Sequence, residues 1–200
     1  MRELVDVIAR DLAALTDSRQ LTLRVRSETN DTRAFVDRRQ FLTVIQNLVA
    51  NAVKFSPSQR EITIVLADGE FPSGRPALCM SVRDQGVGIP ENELESIFDK
   101  FVQSSKTKTG AGGTGLGLAI TREIVTLHGG SIRAGNHPEG GAVFSVLIPR
   151  RDTPETKDET LGTLLAVNLL RGTDPSFDRR INSLKAVEAG TMGRDTRSAH

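Results

Sequence analysis

The chain has 200 residues, of which 38% are hydrophobic and 26% charged, and this composition predicts a water-soluble chain with one well-buried domain and a smaller segment. The formal net charge of +1 argues against a dedicated nucleic-acid-binding protein, for which a strongly basic surface is expected. The most apolar run, residues 161–170, is about half as long as the roughly 20 residues that cross a bilayer, and the lone Cys79 excludes an internal disulfide. We therefore expect a cytoplasmic location and no membrane insertion by this chain.

The first quarter of the chain predicts one helix, two short strands and a second helix. Apolar residues at helical spacing in 1–15 predict an amphipathic helix, and alternation in 21–28 predicts a strand. Residues 33–37 are a second strand candidate. Asp37 can cap the next helix, which the pattern extends to about Lys54.

The helix that ends near Lys54 has a narrow polar face beside a wide apolar one. At about 100° per residue, Asn47, Asn51 and Lys54 fall within roughly 60° of one another. The apolar residues cluster elsewhere on its circumference: Phe41, Ile45, Leu48, Val49 and Ala52. A solvated face is the ordinary explanation for such an amide pair, so this pattern alone is weak support for a binding site.

Two strands are predicted at 61–68 and 77–84, joined as an antiparallel pair by a loop. The second strand ends on Asp84, and a turn with two glycines follows before a short helix opens at Pro90. The carboxylate of Asp84 can cap this turn at Gly86, or it can reach a ligand.

The polar, glycine-rich composition of residues 102–113 is typical of a mobile lid. A helix is predicted from about Thr114 to His128, where Gly129 and Gly130 end it. Residues 131–136 and 141–149 then predict the two final strands.

The glycines of residues 106–120 lie where backbone amides can form a concave anion site, just before the positive end of a helix. A helix N-terminus contributes only about 0.3 to 1 kcal/mol toward an anion, so other segments are required to hold a nucleotide.

Beyond Pro149 the chain becomes strongly charged and loses its periodicity. We predict one α/β domain over residues 1–150. Residues 151–200 are predicted to be a weakly ordered tail, with a short helix at 161–170 as a candidate.

Four motifs stand in a specific order: NLVANAVKF at 47–55, DQGVGIP at 84–90, FDKF at 98–101 and GGTGLGLAI at 112–120. They resemble the N box, the first glycine box, the F box and the second glycine box of sensor histidine kinases, over about residues 1–149. The resemblance implies the Bergerat fold of the GHKL ATPases. This is an α/β fold, a two-layer sandwich whose mixed, mostly antiparallel sheet is covered on one face by helices, with a glycine-rich ATP lid. The cofactors that it implies are ATP and Mg²⁺.

The resemblance assigns roles to residues of all four motifs. Asn51 would coordinate Mg²⁺ with Asn47 close on the same face, and Lys54 would meet phosphate charge, so Asn51 and Lys54 are the candidate catalytic residues. Asp84 would accept a hydrogen bond from the exocyclic amine of adenine, where guanine presents a carbonyl oxygen. The other candidate nucleotide-binding residues lie in the glycine boxes, the F box and the lid: Gly86, Gly88, Ile89, Phe101, Lys106, Lys108, Gly113, Thr114, Gly115, Leu116, Gly117 and Leu118.

Ordinary structural explanations compete with some of these roles. Lys54 stands at a helix end and the lid lysines are polar-loop residues, where solvated side chains are common. Phe98 and Phe101 are expected to anchor the base of the lid.

Two positions depart from the family pattern. Ala142 replaces the usual Thr or Ser, which puts a water-mediated contact to adenine in doubt, and Gln103 replaces a basic residue, which puts a phosphate contact in doubt.

The function expected from the resemblance is that of the ATP-binding catalytic domain of a two-component sensor histidine kinase. Its γ-phosphoryl acceptor would be a histidine on a separate or missing dimerisation module, with relay to a response regulator receiver domain. His128, His137 and His200 do not resemble that acceptor, so we expect no efficient self-phosphorylation.

Three alternatives remain. One is a serine kinase of the same superfamily that acts on an anti-sigma antagonist, and another is a nucleotide-responsive binding module without turnover. The third, a gyrase or mismatch-repair type ATPase, would need dimerisation and transducer segments that a chain of this length is not expected to hold.

Overall fold

The computed structural model describes residues 1–106 and 114–150. Four helices, α1 to α4, pack with a five-stranded sheet, β1 to β5, and two short 3₁₀ turns follow β3. In chain order these elements are α1 (Arg2–Asp11), α2 (Ala13–Ser18), β1 (Thr22–Ser27), α3 (Arg38–Phe55), β2 (Glu61–Glu70), β3 (Pro76–Arg83), the 3₁₀ turns Glu91–Glu93 and Ser96–Phe98, α4 (Gly117–Leu127), β4 (Ser131–Asn136) and β5 (Ala142–Pro149). The predicted tail 151–200, with its candidate helix at 161–170, lies outside the described residues.

The sheet is mixed and has the strand order β1-β2-β3-β5-β4. β1 and β2 are parallel, whereas the pairs β2–β3, β3–β5 and β4–β5 are antiparallel. The predicted class, a mixed and mostly antiparallel sheet with helices, is therefore confirmed. The antiparallel pairing predicted for the strands around residues 61–84 is confirmed as well.

One face of the sheet forms the hydrophobic core. Burial alternates along β2 and β5 because successive side chains of a strand point to opposite faces. The buried set packs with the apolar side of α3, and its strand members are Ile62, Ile64, Leu66, Met80, Val82, Ala142, Phe144, Val146 and Ile148. The opposite face carries polar, partly exposed residues such as Thr63, Ser81 and Ser145. The helices therefore cover a single face, as predicted.

Helix α3 begins where the sequence predicts. The side chain of Asp37 accepts a hydrogen bond from the backbone N–H of Gln40 at 2.8 Å, which satisfies one of the free donors of the first turn. Helix α4 ends at Leu127 with His128 as its C-cap residue, and Gly129 adopts a φ of 66°. The N–H groups of Gly129 and Gly130 bond back to the last turn at 2.9 and 3.0 Å, so the predicted glycine stop is confirmed.

The strand predicted at 33–37 is wrong. Residues 31–37 form an irregular connection that pairs with no strand of the described sheet. Ala34 and Val36 pack against the core, whereas Phe35 between them is 68% exposed. The alternation of apolar residues in this segment therefore arises because the chain passes along the edge of the core, and not because it forms a strand.

Helix boundaries also differ from those predicted. The single helix predicted for 1–15 is divided into α1 and α2 at Leu12, where ψ is 2°. α4 begins at Gly117 and not near Thr114. The short helix predicted after Pro90 consists of the two 3₁₀ turns. Within the described part of the chain, no helix has both the length and the apolar character that a bilayer span requires.

Candidate functional site

A cavity of about 280 Å³ lies between the C-terminal half of α3, the turn after β3 and the start of α4. This volume is near the lower end of the roughly 300–1,000 Å³ that is typical of small-molecule sites. Many of the predicted nucleotide-binding residues line it: Asn51, Lys54, Asp84, Gly88, Ile89, Thr114, Gly115, Gly117 and Leu118. The tertiary structure thus brings residues of the N box and both glycine boxes to one place.

Other predicted residues do not line the cavity. Asn47, Gly86, Phe101, Lys106 and Leu116 lie next to it or away from it. The roles predicted for Lys108 and Gly113 concern residues outside the described ranges. For all of these positions the nucleotide contact stays a prediction.

Asp84 is the buried carboxylate of the site. Asp84 directly follows Arg83, the last residue of β3, and is only 5% exposed. The Oδ1 atom accepts hydrogen bonds from the backbone N–H of Gly86 at 2.8 Å and of Ala142 at 3.0 Å. No described residue donates to Oδ2, so this second oxygen keeps its acceptor capacity for a ligand. The carboxylate therefore both caps the turn and offers an acceptor to the cavity that it lines.

Burial raises the pKa of Asp84 above its ordinary value, and the two backbone N–H donors partly counteract that effect. A desolvated carboxylate with one free acceptor oxygen binds a hydrogen-bond donor more strongly than an exposed one does.

The start of β5 approaches the backbone of Asp84 very closely. The N–H of Asp84 donates to the carbonyl oxygen of Ala142 at 3.0 Å, while the N–H of Ala142 donates to the Asp84 side chain. Gly141 has a φ of 87°, and a Cβ atom there would overlap the carbonyl oxygen of Asp84. A glycine is therefore required at position 141 to bring β5 against the carboxylate.

The polar face of α3 is divided between two tasks. Asn51 and Lys54 line the cavity, and the Lys54 ammonium lies 4.8 Å from the ring centroid of Phe55. The Asn47 amide instead donates from Nδ2 to the Gly117 carbonyl oxygen at 3.2 Å and to Thr121 Oγ1 at 3.3 Å. Asn47 thus joins α3 to the first turn of α4.

Two residues that flank the predicted lid, Phe101 and Gly115, meet in a backbone hydrogen bond. The N–H of Phe101 donates to the carbonyl oxygen of Gly115 at 3.0 Å. Both residues have positive φ, 65° and 68°, and a Cβ atom at Gly115 would lie 2.8 Å from the Phe101 carbonyl carbon. Glycine at position 115 is what permits this contact.

The two phenylalanines of the F box differ. Phe98 is 3% exposed and packs edge-on against Phe144 with ring centroids 6.3 Å apart, so it anchors the base of the lid as expected. The side chain of Phe101 is directed to solvent, with 74% of the residue exposed. The expectation that the Phe101 ring is an anchor is therefore wrong, and its backbone makes the contact.

The first part of the lid is bonded to the rest of the domain. The Lys106 ammonium donates to the carbonyl oxygen of Val87 at 3.2 Å, and the Ser105 N–H donates to the carboxylate of Glu93 at 3.0 and 3.2 Å. In this arrangement Lys106 contacts the turn after Asp84, and its predicted closure over phosphates stays a prediction.

Several cavity residues were not predicted as ligands. Phe55, Val87, Ile97, Val102 and Phe144 contribute much of the apolar wall, and Gln103, Ser104 and Ala142 line the cavity too. Phe55 follows Lys54 directly in the N-box motif, and Phe144 is on the buried face of β5 by simple alternation. Those two signals, and the position of Val87 inside the motif DQGVGIP, were available in the sequence. Ile97, Val102 and Ser104 reach the cavity only because of how the segment after Pro90 folds back.

The oxygen ligands that the cavity offers suit a magnesium ion that is bound jointly by the protein and a phosphate-bearing ligand. The described residues hold no group of three or more His, Cys, Asp and Glu side chains that could bind a metal by themselves. The Asn51 amide lines the cavity and makes no hydrogen bond with a described residue. An amide oxygen is a hard ligand suited to Mg²⁺, which usually takes few protein ligands and completes its shell with phosphates and water.

Residues 36–152 match a protein family described as histidine kinase-, DNA gyrase B- and HSP90-like ATPase. The match covers more than half of the chain. The chain belongs to this family. The recognition made from the four motifs is therefore confirmed, and the family supports ATP as the ligand of the cavity.

Curated relatives are sensor kinases. The sensor protein KdpD of Escherichia coli is 44% identical over 124 residues, which are 62% of this chain and 13% of that protein. The signal transduction histidine-protein kinase AfsQ2 of Streptomyces coelicolor is 37% identical over 126 residues, which are 63% of this chain and 22% of that protein. The chain therefore spans only a small part of the length of these relatives.

Solved structures agree with the fold. The catalytic domain of the histidine kinase ThkA, in a nucleotide-free form, has a TM-score of 0.61 and 30% identity and covers 74% of this chain and 91% of that one. The same kinase has also been solved in complex with the response regulator protein TrrA, with a TM-score of 0.61 and 28% identity, where the match covers 74% of this chain and 40% of that one. The described residues thus have the fold of a histidine kinase catalytic domain.

Proposed function

We propose that this domain binds ATP with Mg²⁺ and transfers the γ-phosphoryl group to a histidine on a dimerisation module, for relay to a response regulator. The observation that carries the proposal is Asp84, a buried carboxylate at the wall of the cavity with one oxygen held by two backbone N–H groups and the other available. Because the matched curated relatives are much longer than this chain, the kinase reaction is a proposal for the complete protein.

Asp84 favours adenine over guanine. The exocyclic amine of adenine donates a hydrogen bond to Oδ2, whereas guanine presents a carbonyl oxygen at the same position and two acceptors repel. Buried apolar residues of the same cavity, including Ile89 and Phe144, lower the local dielectric and so strengthen this contact. Selectivity for the base therefore comes from a single desolvated acceptor.

Asn51 and Lys54 hold the phosphate end of the nucleotide. Both line the cavity on the side of α3, and the N-terminal end of α4 at Gly117 completes it. The amide oxygen of Asn51 is the protein ligand for Mg²⁺, which supplies charge neutralisation at the phosphates when bound. The Lys54 ammonium adds a positive charge, and the helix N-terminus favours an anion.

The reaction is a transfer between two modules. The bond between the γ-phosphorus and its bridging oxygen breaks, ADP leaves with the electron pair, and an imidazole nitrogen of the partner forms the new P–N bond while its proton is lost to solvent. This domain contributes position and charge, the main components of phosphoryl-transfer catalysis. Because the reaction consumes ATP, we propose a cytoplasmic location, as for the cytoplasmic part of a larger sensor.

The test combines nucleotide titration with phosphotransfer. We expect calorimetry to detect ATP binding that requires Mg²⁺ for full affinity and exceeds GTP binding. With γ-labelled ATP and a separately expressed histidine-bearing dimerisation module, label should reach that module and be lost in acid. The Asp84→Asn variant is the matched negative control.

Other outcomes would contradict parts of the proposal. Undetectable ATP affinity would remove the nucleotide site itself. An acid-stable label on an anti-sigma antagonist would identify a serine kinase. ATP binding that alters partner affinity, with no transfer of label to any acceptor module, would identify a binding module without turnover.

A further inference from the structure

We propose that Asn136, which lies outside all four motifs, is a positioning residue that sets the base selectivity of the nucleotide site. The inference rests on the proposed function, because it concerns the turn that carries Asp84. Asn136 is the last residue of β4. Its Oδ1 accepts a hydrogen bond from the Ile89 N–H at 2.8 Å, and its Nδ2 donates to the Ile89 carbonyl oxygen at 2.7 Å. One side-chain amide thus satisfies both backbone groups of a single residue.

Ile89 connects this amide to the cavity. The residue is 7% exposed and lines the cavity beside Gly88. Gly88 has a φ of 66°, and a Cβ atom there would lie 2.8 Å from the Asn136 Oδ1. The amide therefore sits directly against the second half of the turn, and a side chain at position 88 would separate the two.

The β4–β5 hairpin holds the same turn at its other end. The N–H of His137 donates to the carbonyl oxygen of Gly141 at 3.0 Å, which closes the hairpin loop. The next residue, Ala142, then donates its N–H to Asp84 Oδ1 at 3.0 Å. Asn136 before the loop holds Ile89, and Ala142 after it holds Asp84. The hairpin is thus a clamp on both ends of the turn 84–89.

This clamp decides where the free oxygen of Asp84 points. Because Oδ1 is held by Ala142 and by the Gly86 N–H within the turn, the direction of Oδ2 depends on the path of the turn. Releasing Ile89 lets that path vary, and a hydrogen bond to a ligand weakens steeply as its angle departs from linear. The phosphate end of the site, held by α3 and α4, has no part in the clamp.

The main variant is Asn136→Ala, with His137→Ala as the matched control. The His137 ring bonds within the loop, from Glu139 N–H to Nδ1 at 3.1 Å, and makes no hydrogen bond to the turn. We expect Asn136→Ala to weaken ATP binding roughly tenfold by calorimetry, as for loss of one well-placed hydrogen bond. Affinities for GTP and for inorganic tripolyphosphate should stay within about twofold of wild type, so the ratio of ATP to GTP affinity falls. The control should match wild type for all three.

Three results would overturn the proposal. Unchanged ATP affinity in Asn136→Ala would show that the clamp does not position the acceptor. Equal weakening of ATP, GTP and tripolyphosphate would indicate general destabilisation of the domain. A control variant with the same loss as Asn136→Ala would assign the effect to the loop as a whole.

Two further measurements keep the test decisive. Asn136→Asp keeps the acceptor for the Ile89 N–H but puts a second acceptor against the Ile89 carbonyl oxygen in place of the donor, so a loss at least as large as in Asn136→Ala is expected. This isosteric change covers the case in which Asn136→Ala does not fold. Amide exchange at Ile89 should accelerate in Asn136→Ala whether or not nucleotide is present. If wild type fails to bind ATP, the proposed function fails, while unchanged exchange at Ile89 would refute the clamp independently.

Discussion

The replacement Asp84→Asn separates nucleotide recognition from folding. Asparagine has the same shape, and its Oδ1 can still accept the N–H groups of Gly86 and Ala142, which hold that atom at 2.8 and 3.0 Å. The second oxygen becomes an NH₂ group, so an acceptor in the cavity becomes a donor. Adenine then presents its amine to another donor, and neither group is satisfied.

The expected loss follows from the burial of the residue, which is 5% exposed. Removing a hydrogen bond to a charged acceptor costs about 1.5 to 3 kcal/mol, and leaving the facing donors unpaired costs about 1 to 3 kcal/mol more. Because these two terms overlap, we expect about 3 to 5 kcal/mol in all. This corresponds to a loss of roughly 100-fold to a few thousand-fold in ATP affinity. The variant should keep the fold, because it also removes a charge whose burial raises the pKa of Asp84.

The assay is calorimetric titration of wild type and Asp84→Asn with ATP and with GTP, together with thermal unfolding of both. ATP binding should fall as stated, GTP binding should stay level or improve because the new NH₂ can donate to the guanine carbonyl, and the Tm should be unchanged or higher. ATP affinity within threefold of wild type would remove Asp84 from the adenine role. A large drop in Tm with parallel loss of both nucleotides would show that the carboxylate is needed for folding.

Three further predictions concern pH, backbone packing and the contact between α3 and α4. Burial raises the pKa of Asp84 above its ordinary 3.8, so the folded state binds this proton more tightly than the unfolded one. Its contribution to stability therefore decreases as pH rises from 3.8 through the raised pKa of the folded state. ATP affinity, which needs the ionised form, decreases as pH falls through that raised pKa. Measurements of stability and ATP affinity across this pH range should show the pH dependence of Asp84 in wild type and not in Asp84→Asn. Gly141→Ala should lower the free energy of unfolding by about 2 to 4 kcal/mol in a denaturant titration, because of overlap and a φ of 87°, whereas Gly135→Ala, with nothing within 4 Å, should be neutral or slightly stabilising. Thr121→Val should lower the free energy of unfolding by about 1 to 2 kcal/mol in the same titration, since Thr121 is fully buried and its hydroxyl joins α3 and α4. Thr126→Val is the control because Thr126 is exposed. Equal losses in the two variants would contradict the role of Thr121.

Much of the fold was predictable because it depends on residues close in sequence. Alternation along β2 and β3 determines which face is buried, and Asp37 caps α3 through a bond to a residue three positions later. The segment 33–37 shows the limit of that approach. A strand needs a neighbour to pair with, and residues 33–37 pair with neither of the two edge strands, β1 and β4. Alternation alone does not reveal whether a partner exists.

The candidate site was also predictable only where its residues belong to local sequence motifs. The glycine boxes and the N box identify Asn51 and Asp84, and the cavity brings both together. The direction of Asn47 toward α4, the outward direction of Phe101 and the clamp by Asn136 were not predictable. Each depends on a contact between residues 14 to 74 positions apart in the chain. Such contacts are decided by how the elements pack and leave no periodic pattern in the sequence.

The sequence by itself determined that Asp84 stands at the end of a buried strand and that glycines surround it, because strand periodicity and turn chemistry are local properties. It also determined the family, through four motifs in a specific order. Only the tertiary structure decided which oxygen of Asp84 is occupied. The N–H of Ala142 reaches Oδ1 across 58 residues of chain, because β5 is inserted between β3 and β4 in the sheet. The remaining oxygen acquires its proposed role from that pairing.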